Sequence, residues 1–170
     1  VSQLSAVGNK VDALAESSAL HYLSAADPAD GSNDALAEGT HTLAAGSNAS
    51  PMGANASAFG TSASASATDP TAIGAGAVAG TAGATSLGAS ASAYGSGATA
   101  LGASATANGD GTLALGSASA AADNAPSLGY HSSALAANSV ALGQGSIADR
   151  AGTVSVGQRA PDHQRRGWHR

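Results

Sequence analysis

Cysteine is absent from these 170 residues. That absence removes disulfides, thiolate metal ligands and thiol nucleophiles together. Aromatic residues make up 3% of the chain, with one Phe and one Trp, so the large side chains of an ordinary globular core are missing. Charge is scarce as well, at 10% of residues. Residues 1–157 carry ten acidic side chains against Lys10 and Arg150, a charge of −8, and the last thirteen residues reverse this to +3. An acidic body is a poor partner for a polyanion, which argues against nucleic acid. No apolar run approaches the ~20 residues of a membrane-spanning helix. The chain opens on Val1 with no signal peptide, and the expectation is an excised fragment of a longer protein.

What the chain does have is alanine, serine and 23 glycines. Such a composition suits either a disordered low-complexity chain or a repeat fold that packs small residues closely. Register favours the repeat. A larger apolar residue precedes glycine at Met52-Gly53, Phe59-Gly60, Ile73-Gly74, Leu87-Gly88, Tyr94-Gly95, Leu101-Gly102 and Leu115-Gly116. The intervals are seven or fourteen residues. One residue then drops out, and the beat resumes at Leu128-Gly129, Leu142-Gly143 and Val156-Gly157. A fixed short period is the signature of a solenoid, in which each coil stacks on the last.

Within the beat, the residue two before each glycine is small: Ala58, Ala72, Ser86, Ala93, Ala100, Ala114, Ser127, Ala141 and Ser155. The residue three before is often β-branched, as at Thr71, Thr85, Thr99, Val140 and Val154. Alternation of this kind, closed by glycine, reads as a short strand and a bend. Asp69-Pro70, Asn108 to Gly111 and Asp123 to Pro126 read as turns. A fourteen-residue coil thus holds two strands and two bends, and residues 39–157 hold between eight and nine coils. Stacked at ~4.8 Å per rung, they make a rod of about 40 Å. Gly39 and Gly46 keep the phase behind Glu38 and Ala45, as an atypical first coil would. The expected inward core column is Met52, Phe59, Ile73, Leu87, Tyr94, Leu101, Leu115, Leu128, Val140, Leu142, Val154 and Val156. So thin a coil buries little alone, which points to association between chains.

The N-terminal segment has another period. Val1, Leu4, Val7, Val11 and Leu14 alternate by three and four, the seam of a short coiled coil or of an amphipathic helix lying on the domain. About three heptads need a partner or a longer helix upstream. The expected division is therefore a helical stalk over 1–25, a connector and cap over 26–38, an all-β repeat body over 39–157 and a tail over 158–170.

No residue pattern points to chemistry. His21, His41 and His131 are far apart and lack ligand spacing, so they read as exposed or interface histidines rather than metal ligands. Serine is too common here for its presence near His and Asp to mean a triad, and no GxSxG turn presents one. Gly74-Ala75-Gly76 lacks the context of a phosphate loop. No catalytic, cofactor or metal residue is assigned, and an enzyme is not expected.

The coil Asn138-Ser-Val-Ala-Leu-Gly-Gln-Gly-Ser-Ile-Ala-Asp-Arg-Ala151 resembles the head repeat of YadA-like trimeric autotransporter adhesins. Thr112 to Gly116, Ala98 to Gly102 and Thr71 to Gly74 are similar in weaker form, and ten apolar–Gly pairs keep its register. The resemblance implies a left-handed parallel β-roll, a homotrimer and an adhesin head that binds host cells or extracellular matrix. It also implies a place on the bacterial surface, with outer-membrane anchoring through a C-terminal region not contained in the chain. Thr153-Val-Ser-Val-Gly157 resembles the start of the family's neck, but Gln158 to Arg170 departs from it. Codons for Ala160 to Arg165, read one base later, can spell R-Q-I-T-N-V, the expected continuation. The tail is therefore read as an out-of-frame, disordered neck, which DNA sequencing across codons 157–170 tests. Two other functions fit a rod of this composition. A passive spacer would bind neither matrix nor cells. An ice-binding solenoid needs an unbroken threonine ladder, whereas Leu113, Pro126 and Val140 interrupt Thr71, Thr85 and Thr99.

Overall fold

The computed structural model describes residues 35–117 and 119–157. The proposed seam Leu4, Val7, Val11 and Leu14 and the tail 158–170 lie outside these residues.

Between Leu43 and Val156 the chain alternates two strands and two bends without interruption. The odd-numbered strands are β1 (Leu43–Ala45), β3 (Ser57–Phe59), β5 (Thr71–Ile73), β7 (Thr85–Leu87), β9 (Thr99–Leu101), β11 (Leu113–Leu115), β13 (Ser127–Leu128), β15 (Val140–Leu142) and β17 (Val154–Val156). The even-numbered strands are β2 (Ser50–Pro51), β4 (Ser64–Ala65), β6 (Val78–Ala79), β8 (Ser92–Ala93), β10 (Thr106–Ala107), β12 (Ala120–Ala121), β14 (Ser133–Ala134) and β16 (Ile147–Ala148). Odd strands form a nine-stranded sheet and even strands an eight-stranded sheet, each in coil order. Every pairing is parallel, so each residue sits over its counterpart one coil away, as Thr85 sits on Thr71 and under Thr99. This is the solenoid that the glycine period implies, in the parallel β-roll form that the family resemblance implies.

Both bends of a coil use one device. At the first, Ala91 N–H donates to the Gly88 carbonyl at 3.2 Å, and Ser90 between them has φ +56°. A turn with positive φ at its third residue favours Gly or Asn there. The column at the second bend contains Asn55, Asp69, Gly83, Gly97, Gly111, Asn124 and Asn138, all at positive φ. The turns expected at Asp69-Pro70, Asn108 to Gly111 and Asp123 to Pro126 are in place.

The beat glycines after the odd strands have a second reason to be glycine. Gly60, Gly74, Gly88, Gly102, Gly116 and Gly129 all have φ between +125° and +145°. Each stacks against the next so closely that a Cβ on Gly74 would stand 2.5 Å from the Gly88 carbonyl oxygen. Gly53 and Gly95 belong to the other bend, where the backbones of Ala67 and Gly109 lie where a Cβ would go.

The core corrects the expected column. Fully buried are Ala58, Ala72, Ser86, Ala100, Ala114, Ser127 and Ala141 in the first sheet, and Ala65, Ala79, Ala93, Ala107 and Ala134 in the second. Alanines and hydroxyl residues of the bends fill the rest, and among the described residues the largest fully buried side chains are Pro51 and Pro70. The two sheets of a fourteen-residue coil lie too close for anything larger. The bigger residues of the beat occupy the outward positions of the strands instead.

The dropped residue also has a place. Ala107 to Ala114 spans seven steps, but the equivalent Ala121 to Ser127 spans six, since Ala114 pairs with Ser127 and Ala121 with Ala134. The shortened segment is the bend ending in Pro126. Proline has no N–H to give to the ladder, and β13 begins one residue later than its neighbours. The buried alanines accordingly fall into two clusters, one ending at Ala121 and the other beginning at Ala125.

Candidate adhesion surface

With the interior filled by small side chains, the roll's chemistry lies on its two outer faces. Alternation along each strand decides what each face shows.

The outer face of the first sheet is apolar. Its main column runs Phe59, Ile73, Leu87, Leu101, Leu115, Leu128, Leu142 and Val156, one residue per rung. Ile73, Leu87, Leu101, Leu115 and Leu142 are each 36–45% exposed and Val156 is 72% exposed, while Phe59 and Leu128 are half-buried. A second column, two residues earlier, holds Thr71, Thr85, Thr99, Leu113, half-buried Val140 and exposed Val154. Ten of the twelve expected core residues thus lie on this face: Phe59, Ile73, Leu87, Leu101, Leu115, Leu128, Val140, Leu142, Val154 and Val156. None of them belongs to the buried core of the chain. An apolar stripe continuous over every rung is more than scattered surface hydrophobes and marks an interaction surface.

Met52 and Tyr94 lie elsewhere. They extend β2 and β8, where their N–H groups donate to the carbonyls of Ala65 and Ala107 at 2.9 Å. They share the seven-residue beat but face outward from the second sheet. The rest of that face is mostly small or polar, with Val78, Leu135 and Ile147 as further apolar residues. Its first column is Ser50, Ser64, Val78, Ser92, Thr106, Ser133 and Ile147, and its next is Met52, Ser66, Gly80, Tyr94, Asn108, Ala122, Leu135 and Asp149. Met52, Tyr94 and Leu135 are 48–61% exposed. The mixed character was legible as a break in the beat, since Ser66, Gly80 and Asn108 stand where it skips. By contrast, the position two before the beat glycine is Ala or Ser at every step from Ala58 to Ser155, with Pro51 the one departure, and that constancy was the better signal for the interior.

The polar groups available are hydroxyls, amides and a few carboxylates. Asn55 donates from Nδ2 to Asp69 Oδ1 at 2.8 Å across one rung, and the Ser96 N–H donates to Asp110 Oδ1 at 2.7 Å. Both carboxylates thus tie a bend to the equivalent bend of the preceding coil. His41 and His131 sit at positive φ in different bends, and His131 meets only the Tyr130 ring edge-on at 4.1 Å between centroids. Among the described residues no three His, Cys, Asp or Glu side chains gather as metal ligands would.

A parallel β-roll with an alanine interior and a continuous apolar outer sheet has the form of a structural and binding module. Its repeats match the YadA head domain repeat over residues 53–77, 82–105, 93–119, 120–146 and 134–160. Among solved structures, the collagen-binding domain of the Yersinia adhesin YadA is similar, with 30% sequence identity and a TM-score of 0.71. The likeness covers 83% of this chain and 81% of that one. No curated protein matches the chain by sequence. The chain belongs to the YadA head-domain family and is a non-catalytic adhesin head.

Proposed function

We propose that this head works as a homotrimer on a bacterial outer surface and binds host extracellular matrix of the collagen type. The observation that carries the assembly is the unbroken apolar column from Phe59 to Val156. A single roll leaves these side chains in water, and three copies meeting along this face bury them. Burying a Leu or Ile side chain fully contributes roughly 1.5–3 kcal/mol, so closing half-exposed residues over eight rungs is a strong drive to associate. Support for the ligand comes from the solved relative, whose recorded activity is collagen binding and which shares 30% identity across most of both chains. Three identical heads on one particle also raise apparent affinity for a repetitive ligand without any new contact.

Light scattering of the purified chain, with binding to immobilised fibrillar collagen, tests both parts. A mass of three chains and saturable binding are expected. A monomer that adheres to nothing overturns the proposal. A trimer that binds neither matrix nor cells leaves the spacer function.

A further inference from the structure

We propose that the cradle between Tyr94 and Leu135 on the second sheet's outer face is the seat of a proline-rich triple helix. This rests on the collagen-type reading above, and on four observations of this face.

The first is Tyr94 itself. It is 51% exposed, and its ring lies over Gly80 of the preceding rung. A Cβ added at Gly80 would stand 3.2 Å from Tyr94 Cδ1. Glycine thus lets the ring lean onto the sheet, fixed beneath and open above. The second is the floor. A shallow depression is lined by Asn108, Gly109, Ala122, Asp123 and Leu135, in the coil shortened before Pro126. The third is spacing. Tyr94, Asn108, Ala122 and Leu135 extend four successive rungs, so Tyr94 and Leu135 stand about 14 Å apart with small residues between them. The fourth is charge. Tyr94, Asn108, Ala122 and Leu135 carry no formal charge and the depression's one ionisable lining residue is Asp123, so the cradle offers an acidic ligand no partner of its own.

An anchored aromatic ring beside hydrogen-bonding side chains is how folded domains recognise polyproline-II segments, whose rigid form costs little entropy to bind. Proline rings pack on the aromatic face, and Asn108 Nδ2 can donate to a carbonyl that polyproline II leaves without an internal partner. The other face of the roll is unbroken aliphatic and suits a second copy of the chain instead. A mere cover for Gly80 would need the ring but would give no ligand dependence.

The test measures binding of the intact chain to an immobilised triple-helical peptide of Pro-Pro-Gly repeats, with a scrambled single-stranded peptide as control. Tyr94→Ala and Asn108→Ala are expected to weaken triple-helix binding, Tyr94→Ala by about tenfold, with circular dichroism and mass unchanged. Tyr94→Phe keeps most of the binding, and Gly80→Ala, which lifts the ring, loses part of it. Wild-type binding that neither Tyr94→Ala nor Asn108→Ala alters, or equal binding to the scrambled peptide, overturns the assignment of this cradle. No wild-type binding to the triple helix or to collagen overturns the matrix reading beneath it.

Discussion

Gly88 lies against Gly102 so closely that a Cβ on the first would stand 2.5 Å from the carbonyl oxygen of the second. Gly88 also has φ +141°. Backbone conformation and backbone contact both demand glycine here. Gly97, in the other bend, has φ +64° and nothing within 4 Å of the added Cβ. The pair separates the two effects. Gly97→Ala is expected to cost about 1–2 kcal/mol for the left-handed conformation alone. Gly88→Ala adds an overpacking cost of roughly 1–3 kcal/mol. Chemical denaturation of both variants checks the order, and a Gly97→Ala loss equal to that of Gly88→Ala refutes it.

Ser86 makes the opposite prediction. Its hydroxyl is buried with no hydrogen-bond partner, in a column that is otherwise alanine at Ala72 and Ala100. Leaving a buried polar group unsatisfied costs roughly 1–3 kcal/mol, so Ser86→Ala is expected to raise stability by about 1 kcal/mol. Ser127 occupies the same column but bonds Ser132 Oγ at 2.8 Å. Because Ser132 also donates to the Gly129 carbonyl, Ser127 is the donor in that pair. Ser127→Ala is therefore expected to lose about 0.5–1.5 kcal/mol. Thermal melts of the two variants should move in opposite directions.

Pro126 stands where the other coils place Thr71, Thr85 or Val140. Val140 donates its N–H to the Thr153 carbonyl at 2.8 Å, and Pro126 has no N–H for the equivalent bond to Ser139. Pro126→Thr is expected to strengthen this rung. Hydrogen exchange reads it directly, as slower exchange of Ser127 and Leu128 relative to the unaltered rungs of β5 and β7. Unchanged exchange there shows that the shortened bend, rather than proline, limits the pairing.

The sequence revealed the coil, its two strands and two bends, and the phase slip, because all of these repeat. It misled on which side of the strand faces inward. Large apolar residues are usually buried, so Leu87 and Leu101 were assigned to the core, yet the coil has room only for Ala72, Ser86 and Ala100. The clue was relative constancy: from Ala58 to Ser155 the small position admits only Ala or Ser, whereas the outward positions of the second sheet admit Met52, Ser66, Gly80 and Tyr94. The split of that beat between two faces was not legible either, since a seven-residue spacing carries Tyr94 half a coil from Leu87 and onto the other sheet. The cradle beside Tyr94 depends on contacts between rungs, which a linear pattern does not display.

The apolar face gives the last prediction. Leu101 and Leu115 sit on adjacent rungs of β9 and β11, at 36% and 38% exposure, in the middle of the column. A carboxylate at either position would be carried into the proposed contact between copies, where an unpaired buried charge costs several kcal/mol. In the isolated chain the same side chain points to water and disturbs none of the buried alanines. Leu101→Asp with Leu115→Asp is therefore expected to abolish association while the strands still form. Light scattering should fall to the mass of one chain. Because the lone roll is thin, its thermal midpoint should fall too and become insensitive to protein concentration. Retention of the wild-type mass by this double variant would show that copies meet through another surface.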